Sequence, residues 1–80
     1  MKEDILSHLE LIALSCKDVE GRESVPLEEQ KRYVAHVVVG NVPNLQERND
    51  YFKVYNKMMI EVNTNHYKGF STYMECRDLI

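Results

Sequence analysis

The first twenty residues alternate apolar and polar side chains with the period of a helix. Apolar side chains recur at steps of four, three, four and three, which places them on one narrow helix face: Ile5, Leu9, Ile12, Cys16 and Val19. Leu11 and Leu14 fall on roughly the opposite side. The pattern predicts a helix from Lys2 to Val19, with one apolar face for the chain's own core and a second apolar side that needs another cover.

The next segment carries helical and extended signals together. Pro26 suits the first turn of a helix. The predicted buried face of this helix contains Leu27, Val34 and Val38, with Val37 beside them. Three consecutive valines at 37–39 favour a strand, so a strand from Tyr33 to Val39 is the alternative. We prefer the helix because the chain offers no convincing second strand to pair with.

A third helix is predicted from Leu45 to Val62. Asn44 stands three residues before Glu47, which resembles a capping box with Asn in place of Ser or Thr. The apolar positions cover more than one stripe: Tyr51, Phe52, Val54, Tyr55, Met58, Met59, Ile60 and Val62. We therefore expect this helix to be the central and most buried element.

The residues after the third helix predict a turn and then a short helix. Residues 63–65, Asn-Thr-Asn, are a turn signal. The helix either begins near His66 with a defect at Gly69, or restarts near Thr72. The apolar end at 79–80 is expected to pack back onto the domain. The chain is thus predicted to be one domain over residues 1–80, all-α, a small three- or four-helix antiparallel bundle.

The charge of the chain argues against a nucleic-acid partner. The formal net charge is −3, and residues 1–44 hold eight acidic against five basic side chains, so the surface repels phosphates on average. The start of the chain does not resemble a signal peptide, and the apolar stretch from Ile5 to Leu14 is too short to span a membrane. We expect a cytoplasmic protein with reduced cysteines, a Cys16–Cys76 disulfide being the alternative.

The sequence lacks the patterns that catalysis or metal binding requires. The candidate ligands show none of the paired spacings of metal sites: His8, His36, His66, Cys16 and Cys76. The acidic pairs 3–4 and 28–29 sit at predicted helix starts, where the helix dipole explains them. The three glycines are scattered and form no phosphate-binding loop. We therefore predict no enzyme activity, no cofactor and no metal.

Binding to another protein is the predicted function. The interface is expected at Leu11 and Leu14, with Glu10 and Asp18 at its rim, where acidic side chains would steer a basic partner. Small acidic helical proteins of this type act as inhibitors, adaptors or phage-type modulators of host or lysis proteins. The expectation is a non-catalytic regulator that binds and masks a partner protein.

Two alternatives remain from the sequence. The heptad-like stripe on the first helix suggests a self-associating structural module, a homodimer whose seam that stripe would form. The other alternative is a nucleic-acid-binding regulator that uses Arg48, Lys53 and Lys57, of which the last two share a helix face.

Overall fold

The computed structural model describes residues 2–15 and 25–80, and these form a small all-α bundle. The described ranges contain four helices: α1 (Lys2–Leu14), α2 (Leu27–Asn41), α3 (Leu45–Asn63) and α4 (Phe70–Asp78). The predicted all-α fold class is confirmed. The strand alternative for Tyr33–Val39 is wrong, since α2 continues through the three valines. A lone strand would have left its main-chain groups without partners, whereas a helix satisfies them internally.

The buried face of α1 is wider than the predicted stripe. Ile5 and Leu9 are buried as predicted, but Leu6 and Ala13 are also fully buried, which turns the centre of this face by about 50°. The reason is that α1 contacts each of the other three helices, so one narrow seam is not enough. The described helix ends at Leu14, earlier than predicted, and residues 16–19 lie outside the described ranges.

The buried face of α2 contains a polar side chain. Val34 and Val38 are buried as predicted, whereas Leu27, the first residue of the helix, is half-exposed. Gln30 is buried, and both the nitrogen and the oxygen of its side-chain amide form hydrogen bonds. Its Nε2 donates to the Val25 main-chain oxygen (2.7 Å), and its Oε1 accepts from the Tyr55 hydroxyl (2.7 Å). These bonds fix α2 against α3 through a polar contact that the apolar pattern did not indicate.

The start of α3 is capped as predicted. Asn44 Oδ1 accepts from the main-chain nitrogens of Gln46 (2.9 Å) and Glu47 (3.1 Å), which satisfies two donors at the helix start. The buried side chains of α3 are Tyr51, Val54, Tyr55, Met58 and Val62, while Ile60 is exposed. Like α1, α3 contacts every other helix, and α2 and α4 share no contact in the described ranges. The bundle is thus a central α1–α3 pair with α2 and α4 on its flanks.

The connection between α3 and α4 determines where α4 begins. Of the two predicted starts, the one near Thr72 is close: α4 begins at Phe70, because Gly69 adopts φ 60°, ψ −124°, a conformation that interrupts a helix. The start near His66 is wrong. Thr72 is buried inside α4, and its hydroxyl accepts from the Lys68 main-chain nitrogen (2.9 Å). This hydrogen bond connects the first turn of α4 to the loop that precedes it. At the end of the chain Ile80 packs against the core, and Leu79 is exposed.

Candidate protein-binding surface

Of the predicted interface residues, Leu11 and Leu14 are exposed on α1. Leu11 is 65% exposed and Leu14 is 36% exposed, so neither side chain is sealed inside the protein. Glu10 is half-buried. Asp18, the fourth predicted residue, lies outside the described ranges. The second apolar side of α1 therefore does face solvent.

A groove with two walls runs beside these residues, and we call it the α1–α4 groove. Its volume is about 390 Å³. One wall is α1, and the other is the first turn of α4 with the segment that leads into it. The lining residues are Ser7, Glu10, Leu14, Tyr67, Gly69, Phe70 and Tyr73. Phe70 is 76% exposed, and Leu11 does not line the groove. Glu10 and Leu14 therefore lie in the groove together with aromatic side chains, whereas Leu11 lies on the neighbouring outer surface.

A second, smaller cavity adjoins this groove, and we call it the Leu14–Val62 cavity. It has a volume of about 220 Å³ and is lined by Leu14, Val62, Asn65 and Tyr67. Leu14 and Tyr67 line both spaces, so these two residues lie where the spaces adjoin. Val62, which also lines the smaller cavity, is a core residue. Apolar core surface therefore lies next to the open groove.

Tyr67 is held in this position by Glu10. Its hydroxyl donates a hydrogen bond to Glu10 Oε2, which connects α1 to the α3–α4 connection. Burial is the first cause that raises the pKa of Tyr67 above its ordinary value. The hydrogen bond and negative charge of Glu10 add to it, followed by Cys76 and Glu61. The ionisable groups that influence this hydroxyl are therefore all acidic ones.

Glu61 supports the chain that carries Tyr67. Its main-chain oxygen accepts from the nitrogens of His66 (2.8 Å) and Tyr67 (3.0 Å). On its carboxylate, Oε1 lies 3.4 Å from Lys57 Nζ, while Oε2 is buried and has no hydrogen-bond partner among the residues that the structure describes. Lys57 Nζ also lies 3.9 Å from Glu75 Oε2. Lys57 thus lies close to two carboxylates, those of Glu61 and Glu75.

Of the two cysteines, the structure describes one. Cys76 is buried with a free thiol, and burial is the main cause that raises its pKa, so the thiol stays protonated at neutral pH. Because Cys76 is free, the alternative of a Cys16–Cys76 disulfide is wrong, while Cys16 itself lies outside the described ranges. Within residues 2–15 and 25–80, no three His, Cys, Asp or Glu side chains are placed to hold a metal ion. No helix in those ranges has the length and apolar character to cross a membrane.

The basic residues considered for nucleic-acid binding are largely engaged within the protein. Arg48 donates from Nε to the main-chain oxygen of Val42 (2.5 Å) and from Nη2 to that of Val39 (3.4 Å). It thereby satisfies carbonyl groups at the end of α2. Lys57 pairs with glutamates as described above, and Lys53 is exposed. These cations do not form an open basic face.

Two other depressions are less suited to binding. The larger, about 510 Å³, is lined among the described residues by α2 alone, on a face that includes Arg32, His36 and Val39. The smaller, about 230 Å³, lies between α2 and α3 beside Phe52 and Asn56. Of the depressions described above, which are lined by residues of the ranges 2–15 and 25–80, the α1–α4 groove is the one that combines opposing walls, an exposed aromatic ring and an adjoining cavity.

Comparison with known proteins adds no functional assignment, since no family model, curated protein or solved structure matches the chain. The geometry of the surface is therefore the basis for inferring function.

Proposed function

We propose that this protein is a non-catalytic regulator that binds another protein through the α1–α4 groove and masks a surface on that partner. The observation that carries the proposal is the exposed ring of Phe70 at the edge of a two-walled groove that also contains Leu14. Leaving a large aromatic side chain in water forgoes about 1.5–3 kcal/mol of burial free energy. Contact with a partner would recover part of that.

The residue types of the groove fit a protein partner. Tyr67, Phe70 and Tyr73 line one wall, and aromatic side chains are enriched at the buried centres of protein interfaces. The groove is open along its length, so an extended contact with a protein suits it better than an enclosed small molecule. Glu10 in the lining favours a partner with basic residues at the matching position.

Self-association through the heptad-like stripe has less support. Ile5 and Leu9 are buried within the protomer, where they contact the other helices. A coiled-coil seam needs such side chains on an open face. Exposing them for a dimer would remove them from the chain's own core.

Affinity capture from the native cell extract, followed by measurement of the Kd of the purified pair, tests the proposal. We expect Phe70→Asp and Leu14→Asp each to weaken binding by at least ~10-fold, because a charge would enter the apolar centre of the interface. The matched control is Leu45→Asp, since Leu45 is 72% exposed at the start of α3 and does not line the groove.

The Leu45→Asp control distinguishes binding at a specific site from non-specific hydrophobic association. Circular dichroism confirms that each variant is folded. Binding that is unchanged in both groove variants, or reduced equally by Leu45→Asp, contradicts the proposed site.

A further inference from the structure

Tyr67 is placed where a side-chain movement would change the shape of the groove. It lines both the α1–α4 groove and the Leu14–Val62 cavity. Its segment is bounded by two residues with positive φ, Asn65 (61°) and Gly69 (60°). Rotation of the ring away from α1 would widen the passage between the two spaces and expose more of Val62, which is 3% exposed.

The bond that prevents this rotation is open to competition. Glu10 is a half-buried carboxylate that accepts a hydrogen bond from a neutral phenol. Among the ion pairs formed within residues 2–15 and 25–80, none involves Glu10. A cationic donor adds a charge–charge attraction to the carboxylate that the neutral phenol lacks, and an arginine can bond both carboxylate oxygens at once. An ammonium or guanidinium group in the groove would therefore displace the Tyr67 hydroxyl from Glu10.

We propose that the Glu10–Tyr67 hydrogen bond is a latch that a lysine or arginine side chain of a protein partner opens by taking over the Glu10 carboxylate. The released ring then leaves the gap between α1 and the α3–α4 connection, and the groove and cavity become continuous. A large apolar side chain next to that cation on the partner packs against Leu14 and Val62. This inference rests on the proposed function and specifies the partner segment as a basic residue beside an apolar one.

Electrostatics at this end of the bundle favour such a segment over an acidic one. Glu10 and Glu61 both act on the Tyr67 hydroxyl, and Glu61 keeps a buried oxygen without a hydrogen-bond partner in the described part of the chain. Since Lys57 already pairs with Glu61 (3.4 Å), Glu10 is the carboxylate that attracts a cation near Tyr67 and repels an acidic side chain.

The latch can be tested without the natural partner by NMR titration of the full chain. Three probes share a phenyl ring and differ in charge: 2-phenylethylammonium, 2-phenylethanol and 3-phenylpropionate. We expect 2-phenylethylammonium to shift the methyl signals of Leu14 and Val62 and the amide of Asn65 saturably. Its Kd should be at least ~5-fold lower than that of the alcohol, and the carboxylate probe should bind most weakly.

Variants separate the latch from a general preference for cations. Glu10→Gln keeps an acceptor for Tyr67 but removes the charge, so the preference for the ammonium probe should disappear. Tyr67→Phe keeps the ring but removes the bond, so both the ammonium and the alcohol probes should bind more tightly. The matched control is Tyr33→Phe, which removes an exposed Tyr33–Glu29 hydrogen bond (3.2 Å) on α2 and should change neither affinity.

Equal affinities for the three probes, or unchanged affinities in Tyr67→Phe, would overturn the latch. Dispersed amide spectra show that the variants are folded. The result is distinct from that of the capture experiment: a cation preference that needs Glu10 supports the latch even if no partner is captured, and a captured partner whose binding is unaffected by Glu10→Gln contradicts it.

Discussion

At the scale of single residues, the amide of Gln30 is the polar centre of an apolar interface. It accepts from Tyr55 on α3 and donates to Val25 before α2, so one side chain joins three parts of the chain. A buried hydrogen bond contributes modestly when intact, but leaving one partner unsatisfied is costly. Gln30 therefore influences the alignment of α2 on α3 as well as the stability of their contact.

Replacing either member of this pair should destabilise the protein. Gln30→Met and Tyr55→Phe are each expected to lower the free energy of unfolding by about 1–3 kcal/mol, because each leaves a buried polar atom without its partner. Urea unfolding measures both. The double variant removes both partners and should lose less than the sum of the single losses. Fully additive losses would show that the two side chains do not act as a pair.

Residue-level prediction from the sequence worked where residue type alone decides burial. Ile5, Leu9, Val34 and Val38 are apolar at helical spacing and are buried. Gln30 is buried because of partners 5 and 25 residues away, which no local pattern shows. The Glu10–Tyr67 bond spans 57 residues and was missed for the same reason.

At the scale of elements, the start of α4 depends on the backbone of Gly69. Its φ of 60° with ψ of −124° lies in a region that side chains with a Cβ rarely adopt. An added Cβ would meet no atom within 4 Å, so the cost of substitution is backbone strain and not collision. Gly40, within α2, likewise has open space where a Cβ would lie, but its backbone is helical.

These two glycines form a matched pair of substitutions with opposite signs. Gly69→Ala should lower the free energy of unfolding by about 1–3 kcal/mol because of strain. Gly40→Ala should raise it by about 0.5–1 kcal/mol, since alanine loses less conformational freedom in a helix. Thermal unfolding followed by circular dichroism measures both changes. Equal effects of the same sign would contradict the conformational difference between the two positions.

Elements were predictable where the signals were local. Asn44 caps α3 through nitrogens two and three residues ahead, and this was readable from the sequence. The preference for helix over strand in α2 depended only on the lack of a partner strand. The start of α4 was predicted near Thr72, close to the observed Phe70, but Thr72 is not its cap, since its hydroxyl accepts from the Lys68 nitrogen from inside the helix.

At the scale of the whole molecule, stability should fall in alkaline solution. Burial is the main cause that raises the pKa values of Cys76, Tyr51 and Tyr67 in the folded protein. In the unfolded chain these groups ionise at ordinary values, about 8.5 for Cys and about 10 for Tyr. Above those values the unfolded state holds fewer protons than the folded state, so the free energy of unfolding decreases as pH rises.

Urea unfolding at pH 7.5 and pH 10.5 checks this expectation. The wild type should be less stable at the higher pH, and Tyr67→Phe should show a smaller decrease because one of the raised groups is gone. At pH 7.5 all three groups are protonated in both states and contribute no pH dependence. An identical decrease in the variant would exclude Tyr67 as a source of it.

Only one of the two walls of the α1–α4 groove could be predicted from the sequence. The outward side of α1 was visible because Leu11 and Leu14 lie opposite its core stripe. The second wall, with Tyr67, Phe70 and Tyr73, belongs to a segment more than fifty residues further along the chain. Its position against α1 is a product of packing between distant elements, so a single-helix pattern could not place it.

The flanking position of α4 has a consequence for how the protein opens. Because α4 rests on α1 and α3 and has no contact with α2 in the described ranges, it can detach while the other three helices stay together. Detachment would expose the sulfur of Cys76, which solvent does not reach in the closed fold. The rate at which a thiol-modifying reagent reacts there therefore measures how often the last helix leaves the bundle.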